Sequence, residues 1–245
     1  LDWAEETAAG LARDGHKVLA RTTAFGIYDH NLVGLDQRHD DGRPDTLWRV
    51  RPRRIVLAAG AIERPVPFAN NDLPGILSAD AGLHYLRRHG VLAGRNIIVA
   101  TNNDSACEVA AAMAASSAAV TLVDCRAGAG APAGVKLLAG RTISTARGRN
   151  AVEGVLLDDG TALPADCVLV SGGWTPSVHL FSQARGKLAW KDELAAFVPG
   201  SEVAGIGVAG AIAGTVSLSD TLASAGPALG QFGTDGKAAP RSTGP

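Results

Sequence analysis

The sequence predicts an α/β fold, because apolar strands alternate with helices along most of the chain. The most informative segment is 95–126, which has the order strand, polar loop, alanine-rich helix, strand. Short, continuously apolar runs at 54–61 and 166–170 are typical of strands that are covered on both faces. No repeat of roughly 20 to 50 residues is evident, which argues against a solenoid or a propeller.

The first elements are a helix and a series of strands. Apolar or small side chains recur at helical spacing over 3–13, and Gly15 follows as a stop signal. A strand is predicted over 17–22, and a further strand pair is predicted on either side of the polar turn at 40–42.

A capped helix and a β-α-β unit are predicted next. Ser78 is a suitable N-cap for a helix that has an acidic residue in its first turn and Gly90 at its end. The β-α-β unit has predicted strands at 96–100 and 120–123 around a helix at 104–116. This order is the Rossmann pattern.

The remaining elements include a hairpin and a glycine-rich segment. Asp159-Gly160 is a strong signal for a tight β-hairpin turn. The Gly/Ala run at 205–218 is a candidate phosphate or flavin element, able to open a helix at Thr215 or Ser217, with tight helix packing as the alternative interpretation. The tail at 234–245 is rich in small, polar and proline residues, so we expect it to be disordered.

Charge and composition argue against several classes of function. Lys and Arg number 23 against 24 Asp and Glu, so there is no broad basic field and nucleic acid is not expected as a partner. No apolar run reaches the ~20 residues that span a bilayer and no signal segment is evident, so we expect a cytoplasmic protein that binds no membrane. Because the chain begins at Leu1 and contains a single methionine, Met113, we expect it to be part of a longer protein.

Neither a metal site nor a catalytic group is predicted. Cys107, Cys125 and Cys167 have neither CxxC nor zinc-ligand spacing, and we interpret all three as small buried hydrophobic residues. The chain contains no HExxH motif, no GxSxG motif and no telling pair of carboxylates. We therefore assign no catalytic residue.

The β-α-β unit carries an altered dinucleotide fingerprint. A GxGxxG motif lets the backbone approach a pyrophosphate at the helix N-terminus, but the equivalent positions here are Thr101, Asn103 and Ala106. We expect the Thr and Asn side chains to fill the space of the pyrophosphate. Asp124, 23 residues after Thr101, stands where a ribose-binding acid belongs. Asn103 and Asp124 therefore mark a possible second nucleotide site, and we favour a scaffold whose site has been lost or repurposed over a working nicotinamide site.

Five blocks of sequence are informative together. They are RTTAFGIYDHN at 21–31, AGAIERP at 59–65, TNNDS at 101–105, SGGWTP with VHL within 171–180, and AAFVPG at 195–200. Read together, these blocks resemble the α subunit of heterotetrameric sarcosine oxidase. The resemblance extends along nearly the whole chain, up to about Phe232.

The resemblance implies an FAD/NAD(P)-binding fold with two dinucleotide-binding domains, Rossmann-like and three-layered. The chain would be the middle of the subunit, without the first β-α-β of the first domain upstream and without a folate-binding domain downstream. An incomplete first dinucleotide-binding domain would comprise 1–66 with 199–233, and a second, NAD-type domain would comprise 67–198.

The resemblance also implies a function. In that family the α subunit holds NAD and the β subunit carries FAD and FMN, in a complex with smaller subunits that converts sarcosine to glycine, formaldehyde and hydrogen peroxide. We expect this chain to be a nucleotide-binding and scaffolding part of such an oxidoreductase, inactive in isolation. The cofactor-binding residues implied by matching position are Ala24, Ala59, Gly60, Ala61, Ala211, Gly214, Thr215, Val216 and Leu218.

Other functions stay open at this point. The chain could belong to a related amine oxidase, such as an opine oxidase or a cyanide-forming glycine dehydrogenase, which share these folds. A free-standing NAD(P)H-dependent flavoprotein reductase would require GxGxxG motifs or a CxxC pair, and both are absent from this sequence. A pure interaction module would fold normally, bind no nucleotide and expose a large apolar patch.

Overall fold

A computed structural model of the chain describes residues 2–215 and 217–230. Val216 and the tail at 234–245 lie outside the described residues. The α-helices are α1 Asp2–Arg13, α2 Ala79–His89, α3 Ser105–Ala115, α4 His179–Gln183, α5 Leu218–Ala223 and α6 Ala225–Gly230.

Seventeen strands and three 3-10 turns complete the described elements. The strands are β1 Thr22–Tyr28, β2 Leu32–Gln37, β3 Thr46–Val50, β4 Ile55–Leu57, β5 Ala61–Glu63, β6 Ile76–Ser78, β7 Asn96–Thr101, β8 Ala119–Asp124, β9 Lys136–Ala139, β10 Ile143–Arg147, β11 Gly154–Leu157, β12 Ala162–Pro164, β13 Cys167–Ser171, β14 Trp174–Pro176, β15 Leu188–Lys191, β16 Ala196–Pro199 and β17 Ile206–Val208. The 3-10 turns are Asp29–Asn31, Asp192–Leu194 and Gly210–Ala213.

The chain divides into two compact units. The first comprises the residues up to Gly60 and those from Pro176 onwards, and the second comprises 61–175. These boundaries differ from the 66/67 and 198/199 boundaries that the sequence suggested. The difference arises because β5 already pairs with β14, and because Phe181, beyond the second unit, is buried in the core of the first.

The second unit has three layers around a parallel sheet of order β6-β13-β7-β8-β9. Helices α2 and α3 cover one face, and Met113 of α3 packs there among Val99, Leu122 and Leu169. The antiparallel sheet β10-β11-β12 covers the other face, where Val155 packs with residues of the parallel sheet. Burial on both faces explains why β7 and β13 have continuously apolar sequences rather than alternating ones.

The observed β-α-β unit agrees closely with the sequence prediction. Strands β7 and β8 and helix α3 begin and end within one residue of the predicted bounds. The preceding helix is also capped as predicted, since the Ser78 side chain accepts a hydrogen bond from the Ala81 amide at 3.2 Å. At its other end Gly90 has a left-handed φ of 65°, which glycine adopts without steric cost.

The first unit is built from smaller sheets. Strands β1, β2 and β3 form an antiparallel sheet, β4 and β17 form a parallel pair, and β15 and β16 form a hairpin. Their shared core consists of buried residues from strands, a short helix and a 3-10 turn: Ile27, Leu57, Phe181, Ile206 and Ile212.

Two local predictions are wrong. Residues 17–20 are not a strand: β1 begins only at Thr22, Arg21 has a left-handed φ of 56°, and the Lys17 ammonium lies 4.1 Å from the centre of the Trp48 ring. The three cysteines are not all buried, since Cys125 is exposed just beyond the end of β8 while Cys167 is buried within β13.

Two features are absent from the described residues. Within residues 2–215 and 217–230, no helix has the length and apolar character needed to cross a bilayer. The same part of the chain contains no group of three or more His, Cys, Asp or Glu side chains placed to hold a metal ion.

Candidate nucleotide-binding sites

Three polar residues lie side by side at the carboxyl edge of the parallel sheet in the second unit. Thr101, the last residue of β7, is in register with Asp124 of β8 on one side and Ser171 of β13 on the other. Their exposed fractions are 4%, 0% and 0%. The strand order reverses between β13 and β7, and this is the place where open α/β sheets bind ligands.

The side chain of Asn103 occupies the loop at this reversal point. Its amide nitrogen lies 3.2 Å from both the carbonyl and the hydroxyl oxygen of Ser171, and its carbonyl oxygen accepts a hydrogen bond from the Ser105 amide at 3.1 Å. The Asn103 backbone N–H, which a fingerprint glycine would offer to a phosphate, donates to the Thr101 hydroxyl at 3.1 Å. The indole of Trp174 closes the group by donating to the Ser105 hydroxyl at 3.0 Å.

The acid at the ribose position is also engaged. Arg126 donates to one oxygen of Asp124 from Nε at 3.0 Å and to the other from Nη2 at 2.8 Å, and its backbone N–H donates at 2.9 Å. The same Nη2 lies 2.7 Å from Asp104, the residue before α3. These hydrogen bonds to Asp124 and Asp104 raise the pKa of the Arg126 guanidinium. The structure places Asp124 at the end of β8, and its partner Arg126 was not predicted from the sequence.

Glu63 adds a half-buried carboxyl group to this polar cluster. One of its oxygens accepts a hydrogen bond from the Asp80 amide, in the first turn of α2, at 2.8 Å, and its side chain also bonds to Ser171. Burial raises the pKa of Glu63, although hydrogen bonds to the Asp80 backbone, the Ser171 side chain and the Ala79 backbone act in the opposite direction. The carboxyl edge of this sheet is therefore closed by hydrogen bonds among its own side chains.

The first unit has a second carboxyl edge, at the parallel pair β4 and β17. Leu57 and Val208 are in register at the ends of these strands, and the Ala209 amide donates to the Leu57 carbonyl at 2.9 Å. Two of the segments implied by the resemblance, 59–60 and 210–215, follow directly after these strands. The fold thus brings both segments to one edge, which is where a parallel sheet presents a ligand site.

The glycines at this edge differ in their surroundings. Gly60 has a φ of 72°, and a Cβ placed on it would have no neighbour within 4 Å, so the backbone is open to a ligand on that side. Gly214 has a φ of 85°, and a Cβ there would lie 2.6 Å from the Leu194 side chain. The Gly210 amide is already bound, since it donates to the Ser224 hydroxyl at 2.7 Å. Gly60 therefore offers free space, whereas Gly214 is required for packing.

The other residues implied by the resemblance are placed as follows. Ala59 is exposed after β4, and Ala211 lies in the 3-10 turn Gly210–Ala213. The Thr215 hydroxyl lies 3.3 Å from the Thr221 hydroxyl. Leu218, at the start of α5, is 71% exposed. Ala24 is exposed on β1 in the separate antiparallel sheet, and Ala61 falls within the bounds of the second unit. Lys191 was not predicted from the sequence. Its ammonium group is close to Gly214, 3.8 Å from the position that a Cβ on this glycine would occupy.

Solved structures with this architecture define the fold. A NAD-dependent persulfide reductase from A. fulgidus aligns over 94% of this chain and 47% of its own, with a TM-score of 0.68 and 18% identity. An L-proline dehydrogenase from P. horikoshii aligns over 78% of this chain and 36% of its own, with a TM-score of 0.61 and 24% identity. The chain therefore has the α/β fold of FAD/NAD(P)-binding oxidoreductases, as predicted.

The sequence comparisons are more specific. No protein-family model matches the chain. The sarcosine oxidase α subunit of Corynebacterium sp. (strain P-1) is 38% identical over 93% of this chain, and its counterpart in Rhizobium meliloti (strain 1021) is 33% identical over 90%. An opine oxidase subunit of Rhizobium meliloti (strain 1021) is 29% identical over only 36%. The chain is thus a homologue of a segment of the sarcosine oxidase α subunit, which confirms the predicted resemblance, and it spans about a quarter of the length of these α subunits, 26% and 24%.

Proposed function

We propose that this chain is the nucleotide-binding and scaffolding segment of the α subunit in a complex that oxidises sarcosine to glycine, formaldehyde and hydrogen peroxide. The observation that carries the proposal is the 38% identity to a sarcosine oxidase α subunit over 93% of the chain. In such a complex, the flavins FAD and FMN of the β subunit perform the oxidation. The α segment contributes a folded platform and a dinucleotide site.

The first unit is the proposed location of NAD. Parallel strands β4 and β17 end at a common edge, and the left-handed Gly60 leaves open space there for a pyrophosphate to approach the backbone. Ala59, Gly60 and the 210–215 segment would hold the dinucleotide. The site would become complete only with a fingerprint β-α-β unit contributed by a preceding part of the subunit.

The second unit is proposed to bind no nucleotide. Asn103 already bonds to Ser171 and Ser105, and both carboxylate oxygens of Asp124 are bonded to Arg126. A ribose would have to displace a guanidinium from a fully buried carboxylate, and a pyrophosphate would have to displace the Asn103 amide. We propose that this unit serves as a scaffold.

Thermal unfolding with and without millimolar NAD tests both statements. We expect NAD to raise the melting temperature of the complete α subunit, because a ligand that binds only the native state stabilises it. Gly60→Val should abolish that rise by placing a branched side chain in the open space. Gly42→Val is the matched control, since Gly42 also has a positive φ, 82°, and no neighbour within 4 Å, but it lies in a turn away from the β4–β17 edge.

The outcomes separate the two units. If Gly60→Val retains the NAD response, the assignment to the first unit is wrong. If Asn103→Ala changes the response as strongly as Gly60→Val, the second unit binds the nucleotide and its interpretation as a scaffold is wrong. Hydrogen peroxide release by the assembled complex, with sarcosine, an opine or glycine as substrate, tests the proposed activity separately from NAD binding.

A further inference from the structure

An open cavity of about 350 Å³ lies within the first unit, between the β1–β2 turn and the end of α4. Ile27 and Ile206 of the unit's core form part of its apolar wall. Its rim carries the polar side chains of Asp29, His30 and Arg185. The volume lies at the lower end of the range for ligand pockets, which suits a small molecule rather than a dinucleotide.

The backbone around this cavity is unusual. His30, Asn31 and Arg185 have φ angles of 61°, 55° and 66°, in the left-handed region that His and Asn enter more readily than most residues and that Arg adopts rarely. They are three of the seven non-glycine residues with positive φ in residues 2–215 and 217–230. All three line this one cavity, and such conformations tend to concentrate at binding and catalytic sites.

The rim presents opposite charges to the same space. Arg185 Nη2 lies 3.3 Å from Asp29 Oδ1, a single long contact between side chains that are 86% and 79% exposed. The remaining guanidinium donors and the second carboxylate oxygen have no acceptor or donor among the described residues. A hydrogen bond joins two of the segments that line the cavity: the Gln183 side-chain oxygen accepts it from the Ile27 backbone N–H at 3.1 Å.

We propose that this cavity binds a small zwitterion of the amino-acid type. The ligand's carboxylate pairs with Arg185, which presents a planar set of donors suited to it. Its ammonium group pairs with Asp29, and its short aliphatic part rests on Ile27 and Ile206. This site is distinct from the proposed NAD site, because none of these residues is among those assigned to the dinucleotide.

Amide shifts in NMR spectra of the isotopically labelled chain test the proposal. The probes are free glycine and N-methylglycine as zwitterions, with acetate, methylammonium and inorganic phosphate as comparisons. We expect the zwitterions to saturate the shifts of residues 27–31 and 183–185. Acetate and methylammonium, which each satisfy only one charge, should bind about tenfold more weakly or worse.

Substitutions at the rim locate the charges. Arg185→Gln and Asp29→Asn should each weaken zwitterion binding by about tenfold or more, and Arg185→Lys should weaken it less because it keeps the charge. Arg87→Gln is the matched control: Arg87 is also a surface arginine in an ion pair, with Glu108, but it lies in the second unit. That substitution should leave binding unchanged.

Several results would overturn the proposal. Phosphate or acetate binding as tightly as free glycine would show an anion site instead, and shifts confined to other residues would show that the zwitterion binds elsewhere. An absence of saturable shifts would also refute it. These outcomes are read on the unaltered chain, so they hold even if a rim variant fails to fold. They do not involve NAD, so they are read separately from the proposed dinucleotide site.

Discussion

Replacing Arg126 by methionine isolates the ion pair that occupies the ribose position of the second unit. The substitution keeps a long apolar stem and removes three hydrogen bonds to carboxylates, two to Asp124 and one to Asp104. Asp104 is 88% exposed and loses little, because water solvates it. Asp124 is fully buried, so it is left with a charge compensated only by the backbone N–H of residue 126.

The cost follows from that burial. Breaking a buried ion pair by removing one partner costs about 3–5 kcal/mol. The Arg126 side chain is itself 38% exposed, so water already screens part of the pair and we expect about 2–3 kcal/mol instead. For a chain of this size each kcal/mol lowers the melting temperature by about 2–4 °C, which gives a loss of about 4–12 °C. Asp124→Asn combined with Arg126→Met should recover most of it, since no buried charge remains.

Urea unfolding of the unaltered chain and of Arg126→Met measures this loss of stability directly.

Arg87→Met provides the control for these measurements. Arg87 bonds to Glu108 at 2.6 Å, but the two side chains are 60% and 65% exposed, so we expect a cost below about 1 kcal/mol. If Arg126→Met costs no more than Arg87→Met, Asp124 is not a buried charge that depends on Arg126. The proposed closure of the ribose position would then be wrong.

Three further predictions concern the second unit. Glu63→Gln should flatten the pH dependence of the free energy of unfolding between about pH 4 and 7, because burial raises the pKa of Glu63 and its native charge becomes costly as the pH rises; an unchanged slope would contradict this. A maleimide should label exposed Cys125 in the native chain and Cys167 only after unfolding, since burial raises the pKa of Cys167 to about 12, and peptide mass mapping reads out the order. Asn103→Ala should cost roughly 1–3 kcal/mol in urea unfolding, whereas Ala at exposed Asn102 should cost little, and equal costs would refute a bridging role for Asn103.

Local patterns were enough to predict the β-α-β unit, the helix that Ser78 caps, the β11–β12 hairpin and β13 of the second unit. In the β-α-β unit, two continuous apolar runs predict strands and the alanine-rich segment between them predicts a helix. The observed bounds of these elements agree with the predicted ones within one residue. The strand predicted over 17–22 failed because its local pattern says nothing of distant contacts. Lys17 lies over Trp48, about thirty residues away, and the ladder of β1 starts where Thr22 meets Gln37.

In the candidate sites too, the sequence predicts where a residue lies in the fold but not which side chain it bonds to. The position of Asp124 followed from spacing alone, since an acid at the end of the second strand is a topological feature. Its pairing with Arg126 depends on a side-chain rotamer, and spacing does not encode rotamers. The cavity beside Arg185 was out of reach for a different reason, because its walls come from segments about 150 residues apart.

The two carboxyl edges satisfy their polar groups in different ways, and this difference is the basis of the proposal that the first unit binds the dinucleotide and the second is a scaffold. In a working Rossmann unit the pyrophosphate accepts hydrogen bonds from the backbone N–H groups of the loop that follows the first strand. In the second unit the Thr101 hydroxyl accepts a hydrogen bond from the Asn103 backbone N–H, and the Asn103 side-chain amide bonds to the Ser171 hydroxyl. The polar groups at that edge therefore have hydrogen-bond partners without a ligand. At the edge of the first unit Gly60 carries no side chain and borders open space. On the proposed assignment a dinucleotide gains interactions in the first unit, and the second unit keeps its own hydrogen bonds whether or not the cofactor is bound.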